Sequence, residues 1–267
     1  KISAANRQTD IFFFAKKITN IGVINANFSR AGNFFQSYGY DPLMVDNTEQ
    51  ANQYWGYSQL NLSLESQHHR SDSLQFFGHL YLADLNESTE NTIAFIAELR
   101  KSENDLDISL GLHFGVDFNN HAEGVDFSAA KAKEAIYTFM PRVAKTISGI
   151  EAKVGFNTSI IERFDSTGNI TQFYPYLRVD YAFSDSYQSV FAGVRGGIRE
   201  NSMWSITKEN PYVLNTLNDG DADLKLVNGS VVYDFFAGMR TKISSSIYFD
   251  AGLSYSREEN MPFFELD

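Results

Sequence analysis

Long stretches of this sequence alternate strictly between apolar residues and polar or small ones, and that period limits what the chain can become. From Leu106 to Phe118, thirteen residues, one set reads Leu106, Ile108, Leu110, Leu112, Phe114, Val116 and Phe118. The intervening set, carried one residue further, reads Asp107, Ser109, Gly111, His113, Gly115, Asp117 and Asn119. Successive strand side chains point to opposite faces, so this period means a β-strand with one apolar and one polar face. Soluble strands usually run about 5–6 residues. A tilted strand needs roughly 9–11 to cross a bilayer, and this segment is long enough.

The pattern recurs. Ile150, Ala152, Val154 and Phe156 alternate with Glu151, Lys153, Gly155 and Asn157, and Leu177, Val179, Tyr181 and Phe183 with Arg178, Asp180, Ala182 and Ser184. Tyr233, Phe235, Ala237 and Met239 follow the same rule, as do Ile247, Phe249, Ala251, Leu253 and Tyr255. Leu74, Phe76, Gly78, Leu80 and Leu82 give a weaker version. The sequence therefore predicts an all-β fold, an antiparallel transmembrane β-barrel with an apolar face on lipid and a polar face on a hydrated lumen. Leu110, Leu112, Phe114, Val179, Phe235 and Phe249 are expected to face lipid. Glu151, Arg178, Asp180, Arg195, Arg199, Asp234, Arg240 and Asp250 are expected to face the lumen, partly paired with one another. The competing reading is a soluble antiparallel sheet with one wet and one buried face.

Connection lengths supply an independent expectation. Strands are predicted near 54–65, 74–83, 92–100, 106–118, 137–146, 150–163, 171–184, 188–200, 231–242 and 246–257. Short links fall at Thr146–Gly149, Asp185–Tyr187 and Ile243–Ser245; longer ones run from Asn119 to Ile136, Phe164 to Ile170 and Glu200 to Ser230. Short periplasmic turns alternating with long extracellular loops are the habit of outer-membrane barrels. In the N-terminal third, Ile11–Ile18, Ile21–Phe28 and Asn33–Tyr40 read as strands, with Ser29–Gly32 as a turn. Twelve or thirteen strands are expected in all, and Ser256–Asp267 reads as loop. Residues 1–267 are expected to form a single barrel domain, or a portion of a larger barrel whose plug or terminal strands lie elsewhere.

Composition narrows the function. Aromatic residues make up 15%, with 23 Phe and 14 Tyr, in a chain whose mean hydropathy is only -0.28. Barrel walls use both rings, Phe toward lipid and Tyr near headgroups. The net charge of -11 without a basic tract argues against nucleic acid. The chain has no Cys, which removes disulfides, zinc-thiolate sites and thiol catalysis. No run of 18 apolar residues predicts a transmembrane helix, and no signal peptide is visible, so an exported chain is expected here in mature or trimmed form.

Local motifs add little chemistry. Asp219, Asp221 and Asp223 mimic the start of a calcium loop, but Leu224 stands where the turn needs Gly and Ser230 where it needs Glu. His68, His69, His79, His113 and His121 are scattered and form no zinc spacing. Gly193, Gly196 and Gly197 match no nucleotide-binding motif and read as places of close backbone approach. Ser128–Ala135 has helix-forming composition. No catalytic residue, metal ligand or cofactor site is assigned.

Tyr174-Pro175-Tyr176-Leu177-Arg178-Val179 leads into Phe191-Ala192-Gly193-Val194-Arg195-Gly196-Gly197-Ile198-Arg199-Glu200-Asn201-Ser202. Glu209-Asn210-Pro211-Tyr212-Val213 and Tyr233-Asp234-Phe235-Phe236-Ala237-Gly238-Met239-Arg240 follow. This series, over about residues 170–260, resembles outer-membrane barrels of Bacteroidota of the TonB-dependent receptor-like or putative porin kind. The resemblance implies a Gram-negative outer membrane, surface-facing loops, and outer-membrane lipid and lipopolysaccharide as surroundings. A TonB-dependent transporter would add an N-terminal plug with a TonB box, neither visible here. The expected function is non-enzymatic, transport- or receptor-like. The alternative is an accessory subunit of an outer-membrane assembly, secretion or uptake complex, contacting other envelope proteins through Glu200–Ser230. A lipid-acting barrel enzyme and a soluble ligand-binding protein are the readings from other classes.

Overall fold

A computed structural model describes residues 6–36, 52–66, 74–85, 90–119, 131–163, 168–183, 188–199, 205, 229–242 and 247–259. They form twelve strands: β1 (Asn6–Ile18), β2 (Gly22–Gln36), β3 (Asn52–Ser66), β4 (Gln75–Leu85), β5 (Glu90–Glu103), β6 (Leu106–Asn119), β7 (Lys131–Ile147), β8 (Ile150–Arg163), β9 (Ile170–Ala182), β10 (Gln188–Arg199), β11 (Gly229–Lys242) and β12 (Tyr248–Glu259). Each pairs antiparallel with its sequence neighbours, in the order β1 to β12 without a crossover. The fold is all-β. Among the described residues the sheet is open, with β1 and β12 each hydrogen-bonded on one side only.

Register carries the alternation across the sheet. Leu112 lies opposite Phe139 and Phe114 opposite Tyr137, with the last two ring centroids 5.1 Å apart. A continuous apolar row, Phe28–Leu60–Leu82–Ile93–Val116, crosses five strands at one level. Such same-face cross-strand pairs are what stabilise a sheet. Here the apolar face is the exposed one. Leu253 is 74% and Phe173 65% exposed, whereas Ser159 and Asp234 on the opposite face are 0% and 9%. A water-soluble sheet has the reverse arrangement.

The apolar face ends in polar residues at both margins. Arg30, Ser58, Asp84 and Asn91 lie in one register row toward the long-link end, while Lys101 and Lys145 lie near the short turns. On β5 the residues of this face between Asn91 and Lys101 are Ile93, Phe95, Ala97 and Leu99. Ten steps of about 3.3 Å, at the ~40° tilt usual in barrel walls, rise roughly 25 Å, the height of a transmembrane apolar band. Long lysine stems suit such a margin, because the chain lies on apolar surface while the ammonium reaches water.

From β5 to β12 the links follow the expected parity, while the β3–β4 link of eight residues and the β4–β5 link of four depart from it. On one side of the sheet 3, 8, 2, 2, 5 and 5 residues separate successive strands; on the other, 15, 4, 11, 6 and 29. Two of the short links are two-residue hairpins with positive φ at both positions, Asn104 (48°) with Asp105 (61°) and Ser148 (51°) with Gly149 (81°). That is the turn whose twist matches its flanking strands.

Three expectations are corrected. Ser29–Gly32 is no turn: β2 runs unbroken through it, Ser29 pairing with both Phe12 and Gln59. Ladders on both sides satisfy the backbone and override the turn-prone composition. Gly22–Phe28 and Asn33–Gln36 are thus parts of one strand, and 37–40 lie outside the described residues. Lys131–Ala135 is not helical but begins β7, paired with β6 and, at Glu134 and Ala135, with β8; 128–130 lie outside the described residues. Helix propensity is a weak prior against two ladders. Finally, β12 continues through Ser256 to Glu259, where loop was expected.

Candidate functional site: the charged face

The eight charged residues singled out from the sequence all lie on the polar face of β8–β12. Arg178 binds Asp180 two positions along the same strand in a bidentate fork, Nε to Oδ2 at 2.6 Å and Nη2 to Oδ1 at 2.7 Å. Such forks are the stronger form of charge-assisted hydrogen bond. Glu151 stands directly across from Asp180. Arg195 on β10 donates to Asp234 on β11 at 2.8 Å, and Arg240 on β11 to Asp250 on β12 at 3.1 Å. Arg199 reaches Glu258 at 3.4 Å, skipping across β11. Glu258 was missed by sequence reasoning because its segment read as loop. Its even-numbered place in series with Asp250, Ser254 and Ser256 was the available signal.

Beneath these pairs lies an aromatic and glycine layer. Phe191 faces Gly238 across the β10–β11 ladder, and Phe236 faces Gly193 in the next pair of that face. A Cβ at Gly238 would come within 2.5 Å of Phe191 Cζ, and one at Gly193 within 2.6 Å of Phe236 Cζ. Each ring therefore lies against the bare backbone opposite. Guanidinium groups stack on the same layer: Arg178 and Arg240 at 5.2 and 5.0 Å from the Phe191 centroid, Arg195 at 5.1 Å from that of Phe236. Cation–π contact and carboxylate pairing together hold these arginines along the wall.

Arg142 on β7 extends the layer and was also missed. Its guanidinium sits 4.1 Å from the Tyr176 centroid and donates to Pro141 O at 3.0 Å, to Phe156 O and to Asn157 Oδ1. Asn157 in turn donates to Gly196 O at 2.6 Å. Gly155 makes room, since a Cβ there would meet Pro141 O at 2.2 Å and Arg142 Cδ at 2.7 Å. The positively charged member of an apolar–polar alternation was legible; its partners, set by register, were not.

Elsewhere the face changes character. Toward the long-link end of β3–β6, Trp55, Leu85 and Glu90 are buried, and Thr92 donates to Asp117 at 2.6 Å. His79 on β4 and His113 on β6 are both on the polar face, in one register row with Ile96 of β5 between them, and no group of three His, Asp or Glu among the described residues is placed to hold a metal ion. His68, His69, His121 and Asp219, Asp221 and Asp223 lie outside the described residues, as does all of 200–228 except Ser205.

No protein-family model matches this sequence, and no curated protein matches it either. Two solved structures share its fold. The copper transporter OprC superposes with a TM-score of 0.55 at 9% identity, over 94% of this chain and 45% of that one. FpvAI, in its complex with pyocin S2, gives 0.50 at 10% identity, over 96% and 43%. Both are TonB-dependent outer-membrane receptors, and the chain spans a little under half the length of each. At these identities the likeness is one of fold: a sheet built like the wall of an outer-membrane β-barrel.

Proposed function

We propose that this chain is wall of an outer-membrane β-barrel with a transport- or receptor-like, non-enzymatic role, its apolar face on lipid and its polar face on the lumen. The observation that carries the reading is the exposed apolar band of about bilayer height, backed by ion pairs on the other face. Exposing so much apolar surface to water is unfavourable by about 25 cal/mol per Å², and lipid removes that cost. Glu151, Arg178, Asp180, Arg195, Arg199, Asp234, Arg240 and Asp250 are then lumenal. Their mutual pairing makes that part of the lumen nearly neutral and firmly held. In this reading the twelve strands belong to a single barrel domain of the Gram-negative envelope, as the Bacteroidota-type resemblance implies. The open edges of β1 and β12 favour completion by further antiparallel strands. They equally suit the second reading, an accessory subunit that meets other envelope proteins, including through 200–228.

Because the chain lacks cysteine, single introduced thiols test the faces cleanly. With the protein in lipid vesicles, a membrane-impermeant maleimide is expected to label Asp180→Cys and Ser254→Cys but leave Val179→Cys and Leu253→Cys unmodified. Equal labelling of all four would sink the assignment. Topology has its own check. Protease added to intact cells is expected to cut between 200 and 228, on the long-link side, and to spare the hairpins at Asn104–Asp105 and Ser148–Gly149. Cleavage at those hairpins with 200–228 intact would invert the orientation.

A further inference from the structure

Two strands of the sheet, β1 and β12, carry a ladder on one side only. Within a bilayer no water reaches the free N–H and C=O groups of such an edge, so each edge must be covered by protein. The two edges differ in direction. β1 runs from the long-link end to the short-turn end, whereas β12 runs the other way. A β1 edge and a β12 edge therefore pair antiparallel with both chains in the same orientation across the membrane. Two β12 edges would pair antiparallel only with one chain upside down.

Side chains define one register for that pairing. Phe13 stands opposite Phe28 of the apolar row, so Asp10, Phe12, Phe14 and Lys16 lie on the polar face of β1. On β12 that face carries Asp250, Gly252, Ser254, Ser256 and Glu258. Setting Lys16 against Asp250 puts Phe14 on Gly252, Phe12 on Ser254 and Asp10 on Ser256. On the other face Phe13 then meets Leu253, Ala15 meets Ala251 and Ile11 meets Tyr255. In this register residues 7–18 lie along 248–259 over their whole length. A shift of one residue would put each apolar set on the wrong face. A shift of two sets Asp10 against Glu258 in one direction and Phe14 against Asp250 in the other. The Phe14–Gly252 pair repeats a device that the wall already uses twice, in Phe191 over Gly238 and Phe236 over Gly193. At Gly252 the place for a ring is open, since a Cβ there would meet Ala237 O at 3.4 Å. Phe12, Phe14 and Leu253 are 65%, 58% and 74% exposed at these edges. Asp250 already accepts from Arg240 and, as a carboxylate, has lone pairs for a second cation.

We propose that the occupant of each edge is a second copy of this chain, with β1 of one copy paired to β12 of the other at two seams that close one barrel. The inference rests on the reading of the chain as outer-membrane barrel wall. The bend of the sheet favours two copies over one. Because 94% of the chain superposes on 45% of OprC, the sheet follows the curve of a wall made by a chain about twice as long. Two copies related by a two-fold axis along the barrel complete that circle, and a head-to-tail seam that closes leaves no edge. One copy alone leaves β1 and β12 unpaired.

Thiol cross-linking tests the seam. Ala15→Cys and Ala251→Cys are made as separate full-chain variants, folded together into lipid vesicles and oxidised. Disulfide-linked dimers are expected from the mixture and from neither variant alone. Using Tyr255→Cys in place of Ala251→Cys, out of register, is expected to lower the yield at least tenfold. Sedimentation in detergent is expected to show a particle of two chains. Lys16→Asp, which sets like charge against Asp250, and Gly252→Val, which fills the place of the Phe14 ring, are each expected to weaken association at least tenfold. Phe173→Ala, an equally exposed ring on the inner strand β9, leaves it unchanged. Heat-modifiable gel migration reports the folding of each variant; should Gly252→Val not fold, the cross-link carries the decision. An internally linked single chain from Ala15→Cys combined with Ala251→Cys, without linked dimers from the mixture, means that one copy closes on itself and overturns the proposal. Single chains with neither link overturn it too. Impermeant-maleimide labelling then separates the causes. Labelling of Asp180→Cys but not Val179→Cys means that only the occupant of the edges is wrong; labelling of both means that the barrel-wall reading falls as well.

Discussion

Val179→Arg is expected to impair assembly far more than Arg178→Val, although the positions are adjacent. Val179 belongs to the exposed apolar face of β9, between Ala152 on β8 and Ala192 on β10. A guanidinium there costs about 2–4 kcal/mol near the bilayer midplane, roughly a 30- to 1000-fold loss of folded fraction for a marginal protein. Arg178 is partly solvated, its side chain 29% exposed, and paired with Asp180. Removing it frees Asp180 and uncovers Phe191, but water can hydrate the carboxylate. Partly exposed pairs are typically worth about 0–1 kcal/mol. Heat-modifiable migration after folding into lipid reports the two folded fractions. Equal damage, or greater damage from Arg178→Val, would contradict the assignment of faces on which the whole reading stands.

Gly193→Ala is expected to destabilise strongly, and Gly197→Ala hardly at all, four residues along the same strand and on the same face. A Cβ at Gly193 would stand 2.4 Å from Leu177 O as well as 2.6 Å from Phe236 Cζ. The ring can swing aside; the carbonyl belongs to the β9–β10 ladder and cannot move without loosening it. Overpacking of this sort costs about 1–3 kcal/mol. At Gly197 the nearest atom is Asn157 Nδ2 at 3.8 Å, ordinary contact, and a change within about 0.5 kcal/mol is expected. Adding Phe236→Ala to Gly193→Ala should restore stability only in part, because Leu177 O remains. Urea unfolding from lipid vesicles measures all three. Full rescue by the second change would place the strain in the ring instead of the backbone.

The same contrast between local signal and ladder explains what could be read in advance. Leu106–Phe118 announced its strand, length and two faces, because side-chain period is a property of the chain alone. Glycines such as Gly193 were recognisable as places of close approach, but what approaches them was not. Phe236 reaches Gly193 only because β10 and β11 pair in one register, and a shift of one residue would put the ring on lipid. Arg142 was overlooked for a related reason: its neighbours Pro141 and Val143 do not announce a site, and Tyr176 and Asn157 come from other strands. In β2, Ser29–Gly32 carried the composition of a turn, and only hydrogen bonds to both β1 and β3 hold it extended.

The sequence by itself therefore determined the all-β class, the long amphipathic strands, the alternation of short and long links, and which charges share a face with the glycines. These follow from period two and from turn chemistry, both local. Tertiary structure alone decided the strand order and register, the pairing of Arg195 with Asp234 and Arg199 with Glu258, and the stacking of Arg178 and Arg240 on one ring. It also brought the side chains of Asn27, Asn61 and His79, from three strands, into one hydrogen-bonded chain. The physical reason is that ladder hydrogen bonds specify neighbours across strands, and no local pattern encodes which residue will lie across from which.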